Sequence, residues 1–161
     1  MKVFIKNRIT LIASDSYVVN ENNEPMFTVK GWLHSPMEVK RIYDKYGVLL
    51  YTLRNRWLNL FSYKTYINDA DGKRVATLKK GRFDLSKNYK ILDTEEKIAI
   101  DGNFPGRKYF ITKNGKDIGT VSHDQMIFGD SYALSADEKD IPFLTALVIA
   151  LDTLREGRMT N

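Results

Sequence analysis

Cysteine is absent from the 161-residue chain. That excludes disulfides, thiolate nucleophiles and metal sites built on thiolates. Histidine is nearly absent too: only His34 and His123 occur, and neither stands in a zinc-binding pattern. There is no nucleophile elbow and no phosphate-cradling glycine loop. The opening residues, MKVFIKNRITLIASD, lack the apolar core of a signal peptide, which leads to the expectation of a cytoplasmic protein, in solution or peripheral at a membrane. A membrane-spanning run is missing as well. The longest apolar stretch, residues 141–151, is interrupted only by Thr145 and bracketed by Asp140 and Asp152. Its eleven positions fall well short of the roughly 20 that a spanning helix needs. Charge of one sign is only mildly in excess: 25 Lys and Arg against 20 Asp and Glu, a net charge of +5. Such a balance permits an anionic partner without requiring one.

The few suggestions of chemistry read more simply as turns and strand ends. His123-Asp124 pairs a base with a carboxylate in sequence, and the reading preferred here is a strand-end turn. His34 precedes Ser-Pro, another strand end. The segment NDADGK (68–73) is similar to a calcium loop, but it lacks the downstream glutamate and has Lys79 and Lys80 nearby, so a hairpin turn is expected. No cofactor, metal or catalytic residue is therefore expected.

What the chain does have is a rhythm. Residues 17–31, 41–54, 66–80, 90–102, 109–123 and 132–144 each open on aromatic or β-branched residues and pass through a polar turn. All but the last then return to an apolar strand. Asp71-Gly72 and Asn114-Gly115 are the clearest hairpin signals, because both residue types accept the positive φ of a tight turn. The stretch 57–67, WLNLFSYKTYI, also reads as a strand. The expectation is about twelve strands in all. The sixth unit ends differently, in a helix over about 140–155, with Asp140 as its N-cap, Pro142 in its first turn and Glu156-Gly157 as its stop.

A helix that is apolar all round must be covered all round. About twelve antiparallel strands have edges to hide, and closing into a barrel hides them. A barrel of that width encloses a lumen that a helix about 10 Å across can fill. Burying eight large side chains between Ile141 and Leu154 would contribute on the order of 10–25 kcal/mol as an upper bound. That is comparable with the net stability of a whole domain. The predicted architecture is one all-β domain over 1–161: a closed antiparallel barrel around a central, hydrophobic C-terminal helix.

The cadence of Tyr- and Ile-led hairpins with Asp/Asn-Gly turns, closed by DIPFLTALVIALDTL, resembles the tubby C-terminal-like superfamily. More closely, it resembles the LURP-one-related proteins and their small bacterial relatives. The resemblance covers essentially the whole chain and implies a twelve-stranded barrel around the last helix. Phospholipid scramblases share the domain, but their Cys-rich segment and membrane helix have no counterpart here. In the tubby branch, Lys and Arg from neighbouring strands bind phosphoinositide headgroups. The resemblance thus implies an anionic, phosphate-bearing ligand or membrane surface without fixing which one.

The residues on which such binding would rest are Arg54, Arg56, Lys64, Lys79, Lys80 and Arg82. Arg54 and Arg56 are two apart and share a strand face. Lys79, Lys80 and Arg82 end the next hairpin, and Lys64 lies on the strand between. Arginine forks suit phosphate geometry and lysine supplies point charge. Trp57, Phe61 and Tyr63 are close by for a membrane interface or a stacked ligand. The alternative is a protein-interaction module working through an exposed apolar or aromatic patch, with an enzyme third. Nucleic acid is disfavoured because a filled barrel offers no groove.

Overall fold

The structure, a computed structural model, describes residues 1–9, 14–31, 39–56, 62–81, 89–103, 108–126 and 129–156. Twelve strands precede one helix. They are β1 (Lys2–Ile9), β2 (Ser14–Asn20), β3 (Pro25–Gly31), β4 (Val39–Asp44), β5 (Leu49–Arg56), β6 (Ser62–Asp69), β7 (Arg74–Gly81), β8 (Lys90–Leu92), β9 (Ile98–Asn103), β10 (Lys108–Lys113), β11 (Lys116–Met126) and β12 (Gly129–Ala136). The helix, α1, spans Ile141–Glu156. All twelve strands belong to one antiparallel sheet in the order β8-β7-β6-β5-β4-β3-β2-β1-β12-β11-β10-β9. The sheet curls into a nearly closed barrel in which the end strands β8 and β9 approach each other.

Three of the turns are built alike, and they explain why Asn and Asp stand where they do. Asn20 Oδ1 accepts the backbone N–H groups of Asn22 and Glu24 at 3.0 and 2.9 Å. Asp44 Oδ1 accepts those of Tyr46 and Val48, both at 2.8 Å. Asp69 Oδ1 accepts those of Asp71 and Lys73 at 3.0 and 2.9 Å. In each case the residue three further on, Asn23, Gly47 or Gly72, has positive φ (62°, 81° and 83°). The side chain stands in for a backbone acceptor while a tolerant residue turns the chain. The carboxylate of Asp69 in NDADGK is therefore engaged with its own turn. Each of these hairpins carries a register shift beside its turn, at Val18/Val19, Ile42/Tyr43 and Ile67/Asn68. Such bulges add twist and bend, which helps a sheet to curl.

The core is the lumen. Val3, Ile5, Val18, Val29, Ile42, Ile67, Leu78, Ile111, Val121 and Leu134 face inward from the wall and are fully buried or nearly so. They meet Ile141, Leu144, Leu147 and Val148 of the helix. From Leu144 to Leu154 every helical residue is buried. Pro142 and Phe143, at the mouth, are half-exposed. The fit is tight at Gly119, where an added Cβ would lie 2.8 Å from Leu144 Cδ1. Even Thr145 is fully buried, and its hydroxyl has no hydrogen-bond partner among the described residues. The helix that composition makes apolar all round is thus covered all round.

The structure departs from the sequence reading in three places. The unit 90–102 is not a hairpin. Its halves, β8 and β9, occupy the two ends of the sheet order and share no hydrogen-bonded ladder. The reason is local: β8 has only three residues, and Asp93 takes φ 60°, which turns the chain, while its carboxylate accepts the Thr77 hydroxyl at 2.5 Å and ties that turn to β7. Second, Asp152 is not the polar limit of the buried run but lies inside it at 6% exposure. The wall supplies partners there: the Tyr132 hydroxyl donates to Asp152, and Lys40 Nζ donates to Thr153 Oγ1 at 3.0 Å. Third, His123 is not at a strand-end turn. It lies within β11, buried at 8% exposure with its ring 4.7 Å from that of Tyr132. Of the strand foreseen at 57–67, the part from Ser62 onward is β6. Residues 57–61, Trp57 and Phe61 among them, and His34 lie outside the described residues.

Candidate functional site

Alternation along a strand decides which of the basic residues share a surface. On β5, Leu53 and Asn55 are buried, so Arg54 and Arg56 stand outward and exposed. On β6, Thr65 and Ile67 are buried and Lys64 is on the outer side, half-buried. On β7, Leu78 and Lys80 are buried and Lys79 is on the outer side, half-buried. Register then brings them together. Arg56 pairs with Lys64, Lys64 with Lys79, and Lys79 with Lys90 of β8. Four cations thus stand directly opposite one another across four adjacent strands. With strands about 4.8 Å apart, the row spans roughly 14 Å. Arg54 is two residues from Arg56 on the same side. On the adjoining strands, Lys30 pairs with Arg41, and Arg41 with Thr52 beside Arg54.

Among the described residues no Asp or Glu stands within this row; Asp44 and Asp69 lie at the turn ends of β4 and β6, and Asp44 lines an outer hollow with Lys30. None of Lys30, Arg41, Arg54, Arg56, Lys64, Lys79 and Lys90 is ion-paired among the described residues. Like charges placed directly opposite on a sheet destabilise it by about 0.2–1 kcal/mol per pair. Here the wall holds four such pairs: three along the row, and Lys30 with Arg41.

Of the six residues singled out in the sequence, the structure brings Arg54, Arg56, Lys64 and Lys79 onto this face. Lys80 turns the other way, into the barrel. It is 3% exposed, with its ammonium 4.7 Å from the centre of the Tyr89 ring. Arg82 lies outside the described residues. Tyr63, expected near a membrane interface or a stacked ligand, is half-buried and packs against the core. The sequence reading missed Lys90, Lys30 and Arg41, which only cross-strand register attaches to the face.

A concavity elsewhere on the barrel has the opposite character. A cleft of about 490 Å³ opens at the seam between β7 and β9, beside the start of the helix. Its apolar lining is Tyr51, Val75, Ile98, Ile118 and Phe143, with Tyr51 meeting Phe143 edge-on at 6.3 Å. Five carboxylates line it, from Asp69, Asp93, Glu95, Glu96 and Asp140, against three cations, Lys73, Arg74 and Lys113. Burial first, and the Asp69 charge second, push the Tyr51 phenol above its ordinary 10.0. Above about pH 10 the unfolded chain then gives up this proton while the folded chain keeps it, so stability falls as pH rises through that window. In Tyr51→Phe the decline of melting temperature between about pH 9.5 and 11 should be shallower than in the wild type, read by circular dichroism.

The family model for LURP-one-related proteins matches residues 1–152. The chain belongs to the LURP-one-related family. A solved crystal structure with the same architecture is that of a protein from Arabidopsis thaliana. It matches with a TM-score of 0.61 over 96% of this LURP-one-related chain and 91% of the plant chain, at 13% identity. At that identity the likeness speaks for the shared barrel. No curated protein matches the sequence.

Proposed function

We propose that this LURP-one-related barrel is a non-catalytic binding module whose basic outer face holds phosphate-bearing anions, as presented by a membrane surface or by a free polyphosphate. The observation that carries the reading is the ladder Arg56–Lys64–Lys79–Lys90, four cations in register with no carboxylate between them. Such an array destabilises the sheet on its own and is relieved by anions bridging its members. Arg56 and Arg54 offer planar forks for phosphate oxygens, and the lysines offer point charges. The face lies on the convex wall of the barrel, which suits contact with an extended anionic surface better than enclosure of a small molecule. A filled lumen argues against carriage of an apolar ligand.

Vesicle sedimentation tests this. Vesicles containing phosphatidylglycerol should take up the protein at about 0.01 M ionic strength, where the Debye length is roughly 30 Å, and release it at about 1 M, where it is roughly 3 Å. Calorimetry with soluble inorganic polyphosphate is the second arm. Binding there without vesicle uptake assigns the face to a free anion, and absence of both rejects the reading.

A further inference from the structure

The barrel is incomplete at one place. Strand β8 pairs with only Thr77, Lys79 and the residue between them on β7. Toward the turn end, β7 continues through Arg74, Val75 and Ala76. Among the described residues, nothing on the β8 side bonds to the backbone of these three. Across the gap, β9 pairs only with β10, so its other edge is also open. The 490 Å³ cleft lies at this end of the barrel, and Arg74 and Val75 of β7 and Ile98 of β9 line it together with Tyr51, Ile118 and Phe143. Unpaired strand edges are templates for another strand.

The segment 93–97 crosses the mouth of the gap and is tied at both sides. Lys73 Nζ lies 3.5 Å from Glu95 Oε1, and Lys113 forms an ion pair with Glu96. Asn114 N donates to Lys97 O at 2.8 Å, and Lys97 N donates to Asn114 Oδ1 at 3.1 Å. Those ties use both glutamates and two of the three cations. The third, Arg74, lies with its guanidinium carbon 3.8 Å from the centre of the Tyr66 ring. Among the described residues three carboxylates remain without a cation: Asp69 accepts from its own turn, Asp93 accepts from Thr77, and Asp140 stands at the start of the helix. Among the described residues no cluster of acidic groups converges closely enough to hold a metal ion. The negative charge is spread around an apolar floor instead.

We propose that this seam is a docking site for an extended, lysine- or arginine-bearing peptide that adds as a strand between β7 and β9. Main-chain bonds to Arg74–Ala76 would supply the backbone contact. Alternate side chains would point to opposite sides of the added strand, apolar ones toward Phe143 and Ile98. The three free β7 residues set a contact of about 10 Å, or about three peptide residues. The cations of the peptide answer Asp69, Asp93 and Asp140. The site is independent of the basic face and opposite to it in sign.

The test uses a dye-labelled heptapeptide alternating lysine and valine, followed by fluorescence anisotropy at low ionic strength. The peptide should bind, the same peptide with glutamate for lysine should not, and Asp140→Lys should weaken binding about tenfold or more. A version with N-methylated central amides keeps the charge and loses the main-chain bonds, and it should bind at least about tenfold more weakly. Phe143→Ala, checked for an unchanged circular dichroism spectrum, is a second variant expected to weaken binding by loss of the floor. Arg56→Glu, on the basic face, should leave peptide binding unaltered. Equal binding by the methylated or glutamate peptide would overturn the proposal. So would full displacement by spermine at matched charge, since spermine has no backbone to pair.

Discussion

Leu147→Ala should lower stability by about 3–5 kcal/mol and the melting temperature by roughly 6–20 °C. Leu147 is fully buried at the middle of a helix that is itself enclosed. On a surface helix a truncated leucine can be compensated by neighbouring loops or by water. Here the wall around α1 is a hydrogen-bonded ladder, and it cannot collapse inward without breaking its own register. The cavity therefore stays, and a residual cavity is what moves the cost toward the upper end of the range. Leu147→Met, similar in volume and more adaptable, should cost less than about 1.5 kcal/mol. Chemical denaturation of the pair checks this. Equal losses would mean that the wall relaxes around the helix.

Replacing Arg56, Lys64, Lys79 and Lys90 together with glutamine should abolish binding to anionic vesicles while leaving the protein as stable as before or slightly more so. Each cation near an anionic surface contributes about 1 kcal/mol, so the four amount to about 4 kcal/mol, close to a thousandfold in affinity. The stability change has the opposite sign because three like-charged cross-strand pairs are removed. This combination separates a binding surface from a structural one. A patch that merely guards the wall would be lost without consequence for vesicles, and a structural patch would lower the melting temperature. Vesicle sedimentation and thermal melts on the same preparation read both.

How far the sequence could be followed depended on where its physics is local. The helix was legible because eleven nearly unbroken apolar positions cannot sit at a surface. Most hairpins were legible because Asp44, Asp69 and Asn114 stand within three residues of glycines that turn the chain. The pairing of Lys64 with Lys79 could in principle be counted outward from Asp71-Gly72, within the one-residue uncertainty of the bulge at Ile67/Asn68. The pairing of Arg56 with Lys64 could not, because residues 57–61 contain neither glycine nor proline and offer no centre for counting. Adjacent lysines defeat parity as well. Lys79 and Lys80 must point to opposite sides, and nothing local says which goes inward until Leu78 is known to be buried. The false hairpin at 90–102 has the same root. Asp93 makes a good turn, but whether the strands on either side pair with each other is decided by β7 and β10, far away in sequence.

The enclosed helix also sets an order of events during synthesis. A chain grows from its amino end, so every strand of the barrel is made before the segment that fills it. Until α1 emerges, the inward faces carrying Ile5, Ile42, Ile67 and Ile111 have nothing to close upon. Strand β1 must also wait for β12, its neighbour on one side. Until the helix is made, the growing barrel is therefore an unfilled sheet that exposes its interior. It is at that stage, more than in the finished fold, that chaperones would meet it and aggregation would compete.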